Sequence, residues 1–112
     1  MDIIHYELIN ETELRIAVLV LRALNHKLRM KMLKFIQVQG KKVTVIDVYV
    51  QLKLEQAKAS QHLAILRRAN ILVSEREGKN IYYSINFEMV QHIKHAVDII
   101  YNAKKDKEKN IN

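Results

Sequence analysis

Between Ile71 and Ile85 the chain changes its period, and that change limits the folds open to it. Before this stretch apolar residues recur at helical spacing. Within it, Ile71–Arg76 and Ile81–Ile85 are short runs of β-branched and aromatic residues around Glu77-Gly78-Lys79-Asn80, the pattern of a hairpin with a tight turn. From Phe87 the helical spacing returns. One hairpin late in an otherwise helical chain of 112 residues makes the expected fold mainly α with a single β element. The chain has no proline and only Gly40 and Gly78, so periodicity has to mark most of the boundaries.

The first helix is expected to start at Asn10, whose side chain can cap while Glu13 reaches back from the third position. Leu14, Val18, Leu21 and Leu24 then form one stripe, and Ile16, Ala17, Leu19 and Val20 make the helix apolar almost all round. So small a domain can rarely bury such a helix alone, which points to dimerisation. Asn25 is expected to cap a second helix with Leu28, Met32, Phe35 and Ile36 inward and Lys27, Arg29, Lys31 and Lys34 largely outward. Gly40 and two lysines end it. Thr44 and Asp47 have the spacing of a capping box for a short third helix, Val45 to Leu52. After about three residues a fourth helix runs from Gln56 to about Ala69, with Ala59, Leu63 and Leu66 on its core side. The last helix is read from about Phe87 to Lys104, striped by Val90, Ile93, Val97 and Ile100. The charged segment 105–112 has almost nothing to bury and is expected to fray. The predicted fold is mainly α with a β-hairpin wing, in the order helix, helix, helix, helix, hairpin, helix. The third and fourth helices make a helix-turn-helix and the hairpin a wing, one domain over residues 1–104.

Charge sharpens this reading. The net charge is +7. Residues 26–68 hold ten basic side chains against only Asp47 and Glu55, so the excess falls on the segment containing the helix-turn-helix. That is expected of a surface facing phosphates, although a solvated basic face with no partner has the same composition. No apolar run exceeds Ile16–Leu21, and the acidic start lacks the pattern of a signal peptide, so a cytoplasmic location is expected. The absence of cysteine removes disulfides, thiolate metal sites and thiol redox switches together.

Residues 24–85 resemble the ArsR/SmtB family of bacterial winged-helix repressors. The matching pieces are Arg29 with Met32-Leu33, Thr44 at the third helix, Ser60 to Leu63 with Leu66, Ala69 to Leu72, Glu77-Gly78 and Tyr82-Tyr83. The resemblance implies a homodimer joined through its first and last helices, repressing transcription from an operator with two half-sites. Three residues depart from the family's pattern: Lys27 replaces a usual proline, Tyr49 a usual alanine and Lys53 a common glycine. The family's metal sensors use a cysteine pair at the third helix, or Asp-x-His with a later His-x-x-His or Glu in the last helix. The corresponding last-helix positions here are Phe87, Met89, Ile100 and Ala103, none of which can ligate.

With Ala59, Leu63 and Leu66 inward, the fourth helix is expected to offer Gln56, Lys58, Ser60, Gln61 and His62 to the major groove. The glutamines suit adenine edges, and Lys58 and Thr44 suit phosphates. Arg76, Lys79 and Asn80 cluster at the wing's tip, suited to the minor groove or backbone. The dimer interface is assigned to Leu14, Val18, Leu21, Val90, Ile93, Val97 and Ile100. No metal site and no cofactor are expected. His92, His95 and Asp98 lie three apart on one helix flank and could hold zinc, but such a trio is more often ordinary polar surface. Ser60 and His62 diverge on a helix and cannot form a nucleophile–base pair, so no enzyme is expected. The reading is a DNA-binding transcriptional repressor whose partners are an operator and a second copy. The alternative is a winged-helix module that binds protein through its first and last helices, which does not require the basic segment.

Overall fold

The computed structural model describes residues 10–111; of the side chains beyond Ile99, only that of Asn102 is described. Four helices come first: α1 (Glu11–Leu24), α2 (Lys27–Gln39), α3 (Val45–Leu52) and α4 (Gln56–Arg68). A two-residue strand β1 (Val43–Thr44) precedes α3, and β2 (Leu72–Glu77), β3 (Asn80–Ile85) and α5 (Phe87–Ile111) follow α4. This is the winged helix-turn-helix read from the sequence, with α5 continuing past Lys104.

Local chemistry accounts for most boundaries. Asn10 Oδ1 accepts from the backbone N–H groups of Thr12 and Glu13 and starts α1. The second helix departs from expectation by one residue. Asn25 closes α1, and His26 is the cap of α2, its Nδ1 accepting from Leu28 N–H at 3.2 Å. Gly40 ends α2 in the left-handed region, at φ 65°. At α3 the capping box is complete: Thr44 Oγ accepts from Asp47 N–H, and the Asp47 carboxylate accepts from Thr44 N–H. Asn86 was not singled out from sequence, yet its Oδ1 accepts from Met89 N–H at the start of α5 and its Nδ2 donates to the Asn70 carbonyl.

Sequence reading also missed β1. It pairs antiparallel with β3, Val43 opposite Tyr83 and Thr44 opposite Tyr82, giving a three-stranded sheet ordered β1-β3-β2. A two-residue strand has no period to detect; its partner defines it. The wing's register sets Glu77 opposite Asn80 and leaves a two-residue turn, where Gly78 at φ 62° supplies the positive angle such a loop needs at its first position.

The core lies where the four helices meet the base of the sheet. Met32 and Ile36 of α2, Val48 of α3, Ala59, Leu63 and Leu66 of α4, and Val43 and Leu72 from the strands are its buried centre. Tyr49, large for a helix-turn-helix crossing, remains half-buried and packs against this cluster, leaving Val48 as the buried residue of α3. The core face of α1 lies beside the stripe read from the sequence as dimer interface. Ala17, Val20 and Ala23 are buried, whereas Leu14, Val18 and Leu21 are exposed. On α5, Ala96 and Ile99 are buried, Ile93 is half-buried, and Val90 and Val97 are exposed; the Ile100 side chain lies outside the described residues.

The turn between α3 and α4 depends on Lys53, which adopts φ 55° and ψ 52°. Holding a side chain there costs about 1–2 kcal/mol, against about 0.4–1 kcal/mol of extra unfolded-state entropy if glycine replaces it. Lys53→Gly is therefore expected to stabilise the chain by about 0.5–1 kcal/mol. A higher urea midpoint for the variant meets this expectation, and a lower one contradicts it.

Candidate nucleic-acid interface

The start of α4 presents a polar strip on a buried anchor. Gln56, Lys58, Ser60 and Gln61 are exposed, while Ala59, Leu63 and Leu66 on the opposite side have no exposed surface. Glu55, at the cap position, makes no side-chain cap bond, which leaves first-turn N–H groups of α4 for an outside acceptor. Arg67 and Arg68 close the helix at its negative end.

His62 is not part of the strip. It is only 8% exposed, a correction to its predicted place among the groove-facing residues. The reason is angular: His62 lies three residues after Ala59 and one before Leu63, at the margin of the inward face. Its ring stacks at a tilt on His26, with centroids 4.7 Å apart, and its Nδ1 lies 3.3 Å from Arg29 Nη1. Because a guanidinium only donates, Nδ1 of His62 is the acceptor in this contact. Arg29 also donates through Nε to the Ala23 carbonyl. Expected to point outward, Arg29 instead ties the end of α1 to the middle of α4. Its spacing with Met32 and Ile36 (i, i+3, i+7) was the available signal.

Burial holds the His62 imidazole below its ordinary pKa, and the neighbouring His26, Arg29 and Lys58 add to that effect. The unfolded chain then binds more protons at this site than the native one below about pH 6.5. Stability from neutral His62 is thus present above that pH and is lost as pH falls towards the native value. Urea midpoints should drop between pH 7.5 and pH 5.5, and His62→Gln should narrow the drop. An undiminished drop in the variant would point to other groups.

The remaining predicted residues divide. Thr44 is half-buried and its oxygen is engaged in the α3 cap, although its hydroxyl can still donate. Arg76, Lys79 and Asn80 are exposed at the wing's tip, where Arg76 Nε donates to the Gly78 carbonyl at 3.3 Å. Lys42 is committed elsewhere. It pairs with Glu77 and, at 3.7 Å, with Glu75, and stands 5.1 Å from the centre of the Tyr82 ring. The hydrogen bond to Glu77 holds its ammonium above the ordinary lysine range. The basic excess is therefore carried by exposed residues such as Lys27, Lys31, Lys41, Lys53 and Lys58.

His92, His95 and Asp98 are exposed on α5, and among the described residues no group of three histidine or carboxylate side chains is arranged to hold a metal ion. No helix among the described residues is long and apolar enough to cross a membrane.

Comparison with known proteins gives this geometry a context. No protein-family model matches the chain. The arsenic resistance transcriptional regulator ArsR1 of Pseudomonas putida is 35% identical over 75 residues, 67% of this chain but only 58% of that regulator's length. The transcriptional repressor PagR of Bacillus anthracis is 35% identical over 74 residues, 66% of this chain and 73% of PagR. The crystal structure of PagR superposes with a TM-score of 0.63 at 32% identity, over 69% of this chain and 86% of PagR's. An ArsR-like regulator from a Rhodococcus species, only 15% identical, shares the fold over 89% of this chain and 92% of its own, with a TM-score of 0.80. On its identity to such regulators across most of their length, and on its fold, the chain belongs to the ArsR/SmtB family of winged helix-turn-helix transcriptional regulators.

Proposed function

We propose that residues 1–104 act as one DNA-binding and dimerisation unit, a cytoplasmic homodimeric repressor that reads an operator of two half-sites. The observation that carries this reading is the strip of Gln56, Lys58, Ser60 and Gln61, exposed on a helix whose other side is wholly buried. Gln56 and Gln61 are assigned to base edges, and Ser60 to a base or a phosphate. Lys58, Thr44 and the uncapped first turn of α4 are assigned to phosphates. Arg76, Lys79 and Asn80 place donors where the wing meets the flanking groove or backbone. His62 is assigned no DNA contact; it positions α4 through His26 and Arg29.

Dimerisation is supported by the apolar surface one copy leaves uncovered. Leu14, Val18 and Leu21 on α1 and Val90 and Val97 on α5 are all more than a third exposed. The two helices pack together, and exposed apolar stripes on neighbouring helices are of the kind that mark an interface. Ile93 and Ile100 complete the interface proposed from sequence. The positions of the family's metal and thiol sensors hold no ligating side chains, so release from DNA is assigned to a signal other than those metals or thiols.

Footprinting the DNA upstream of the gene tests the dimeric reading. Two protected half-sites should appear with centres about one helical turn apart, roughly 34 Å. A single protected half-site would contradict the dimer, and an unprotected promoter would contradict the repressor.

A further inference from the structure

A cavity of about 480 Å³ opens between α1, α2, the base of the sheet and α5. Leu24, Leu33, Ile71, Ile85 and Ile93 are among its walls, and ten of its twelve lining side chains are apolar. The two exceptions, Lys34 and Gln37, lie three apart on α2 and so share one side of the cavity. Among the described residues Lys34 forms no ion pair; the pairs formed there join Arg15 to Glu11 and Lys42 to Glu75 and Glu77. An apolar cavity of this size with one cation and one amide at its edge has the make-up of a small-molecule site.

We infer that this cavity binds a small amphipathic monoanion, an alkyl or aryl carboxylate. Its apolar body would fill the space against Leu24, Ile71 and Ile93, and its carboxylate would meet the Lys34 ammonium and the Gln37 amide. The charge decides between this occupant and a second copy of the chain. The side chains a second copy would offer, Leu14, Val18 and Leu21 or Val90 and Val97, could cover the apolar walls but hold no acceptor for the Lys34 ammonium at the rim. A carboxylate supplies that partner.

The cavity also touches both halves of the molecule. Ile93 belongs to α5, on the proposed dimer surface, and Ile71 N–H donates to the Leu66 carbonyl at the end of α4. A ligand that favours one arrangement of these elements shifts operator affinity by its preference for that arrangement. This regulatory consequence rests on the repressor reading, whereas the binding itself does not.

The test uses the full chain without DNA, so that its outcome is separate from that of operator binding. Decanoate, decanol and decyltrimethylammonium are titrated below their micellar concentrations by calorimetry. They are also followed by the emission of Phe87→Trp, a rim position in a chain that has no tryptophan. Decanoate should bind about tenfold or more tightly than decanol, with the cation weakest, and should shift the tryptophan emission to the blue. Lys34→Ala, at an exposed position, should bring decanoate to within about twofold of decanol and leave decanol unchanged. No binding of decanoate, equal binding of all three, or an undiminished preference in Lys34→Ala would each overturn the inference. A tryptophan shift that follows protein concentration rather than decanoate would assign the cavity to a second copy and overturn it as well.

Discussion

Replacing Leu66 with alanine is expected to destabilise the chain by about 2–5 kcal/mol, a large share of the roughly 5–15 kcal/mol that holds a domain together. Leu66 has no exposed surface and sits with Ala59 and Leu63 on the inward side of α4. The lost methyl groups account for part of the cost and the cavity left behind for the rest. The surroundings can collapse only a little, because Met32 and Leu72 are as buried and the backbone of Leu66 is also held by Ile71 N–H. Urea unfolding should show the midpoint falling with little change in slope. DNA affinity should fall with it, since the polar strip keeps its direction only while this side is anchored. A loss below about 1 kcal/mol would mean that α4 is not packed as described.

The opposite face of the same helix should behave in reverse. Gln56→Ala combined with Gln61→Ala is expected to leave stability within about 0.5 kcal/mol, because both side chains are exposed. Specific DNA binding should weaken by about 1–3 kcal/mol for each glutamine, roughly thirtyfold or more for the pair, while binding to random duplex stays unchanged. Lys58→Ala should differ again. It should weaken binding to every sequence alike and reduce the salt slope by about one, as removal of a phosphate contact does. Loss of stability in the glutamine pair, or equal losses on specific and random DNA, would remove these residues from the reading face.

Much of this architecture was legible because its signals are local. Thr44 and Asp47 declared the start of α3 by residue type and spacing, Gly40 the end of α2, and Glu77-Gly78-Lys79-Asn80 the wing's turn. The buried anchor of α4 followed from its period. What escaped depends on partners distant in sequence. Val43–Thr44 is a strand only because β3 runs beside it. Arg29 turns inward because the Ala23 carbonyl and His62 receive it. His62 lies at the margin of the anchor, where a helical wheel does not separate a groove-facing side chain from one that packs on His26. The cap of α2 moved from Asn25 to His26, since either side chain can accept from a first-turn N–H and the α1–α2 junction selects between them. On α1, period showed an all-round apolar helix but not which side faces the core. Small Ala17 and Ala23 lie on the packed side and leave the larger Leu14, Val18 and Leu21 outside.

Fluorescence anisotropy on a duplex from the chain's own upstream region tests the proposed DNA-binding face most directly. That duplex and a scrambled one of equal length and composition are titrated in parallel between 50 and 200 mM salt. Binding to the upstream duplex should be about a thousandfold or more tighter than to the scrambled one, with both affinities falling steeply as salt rises. Equal affinities for the two duplexes at every salt concentration would contradict it.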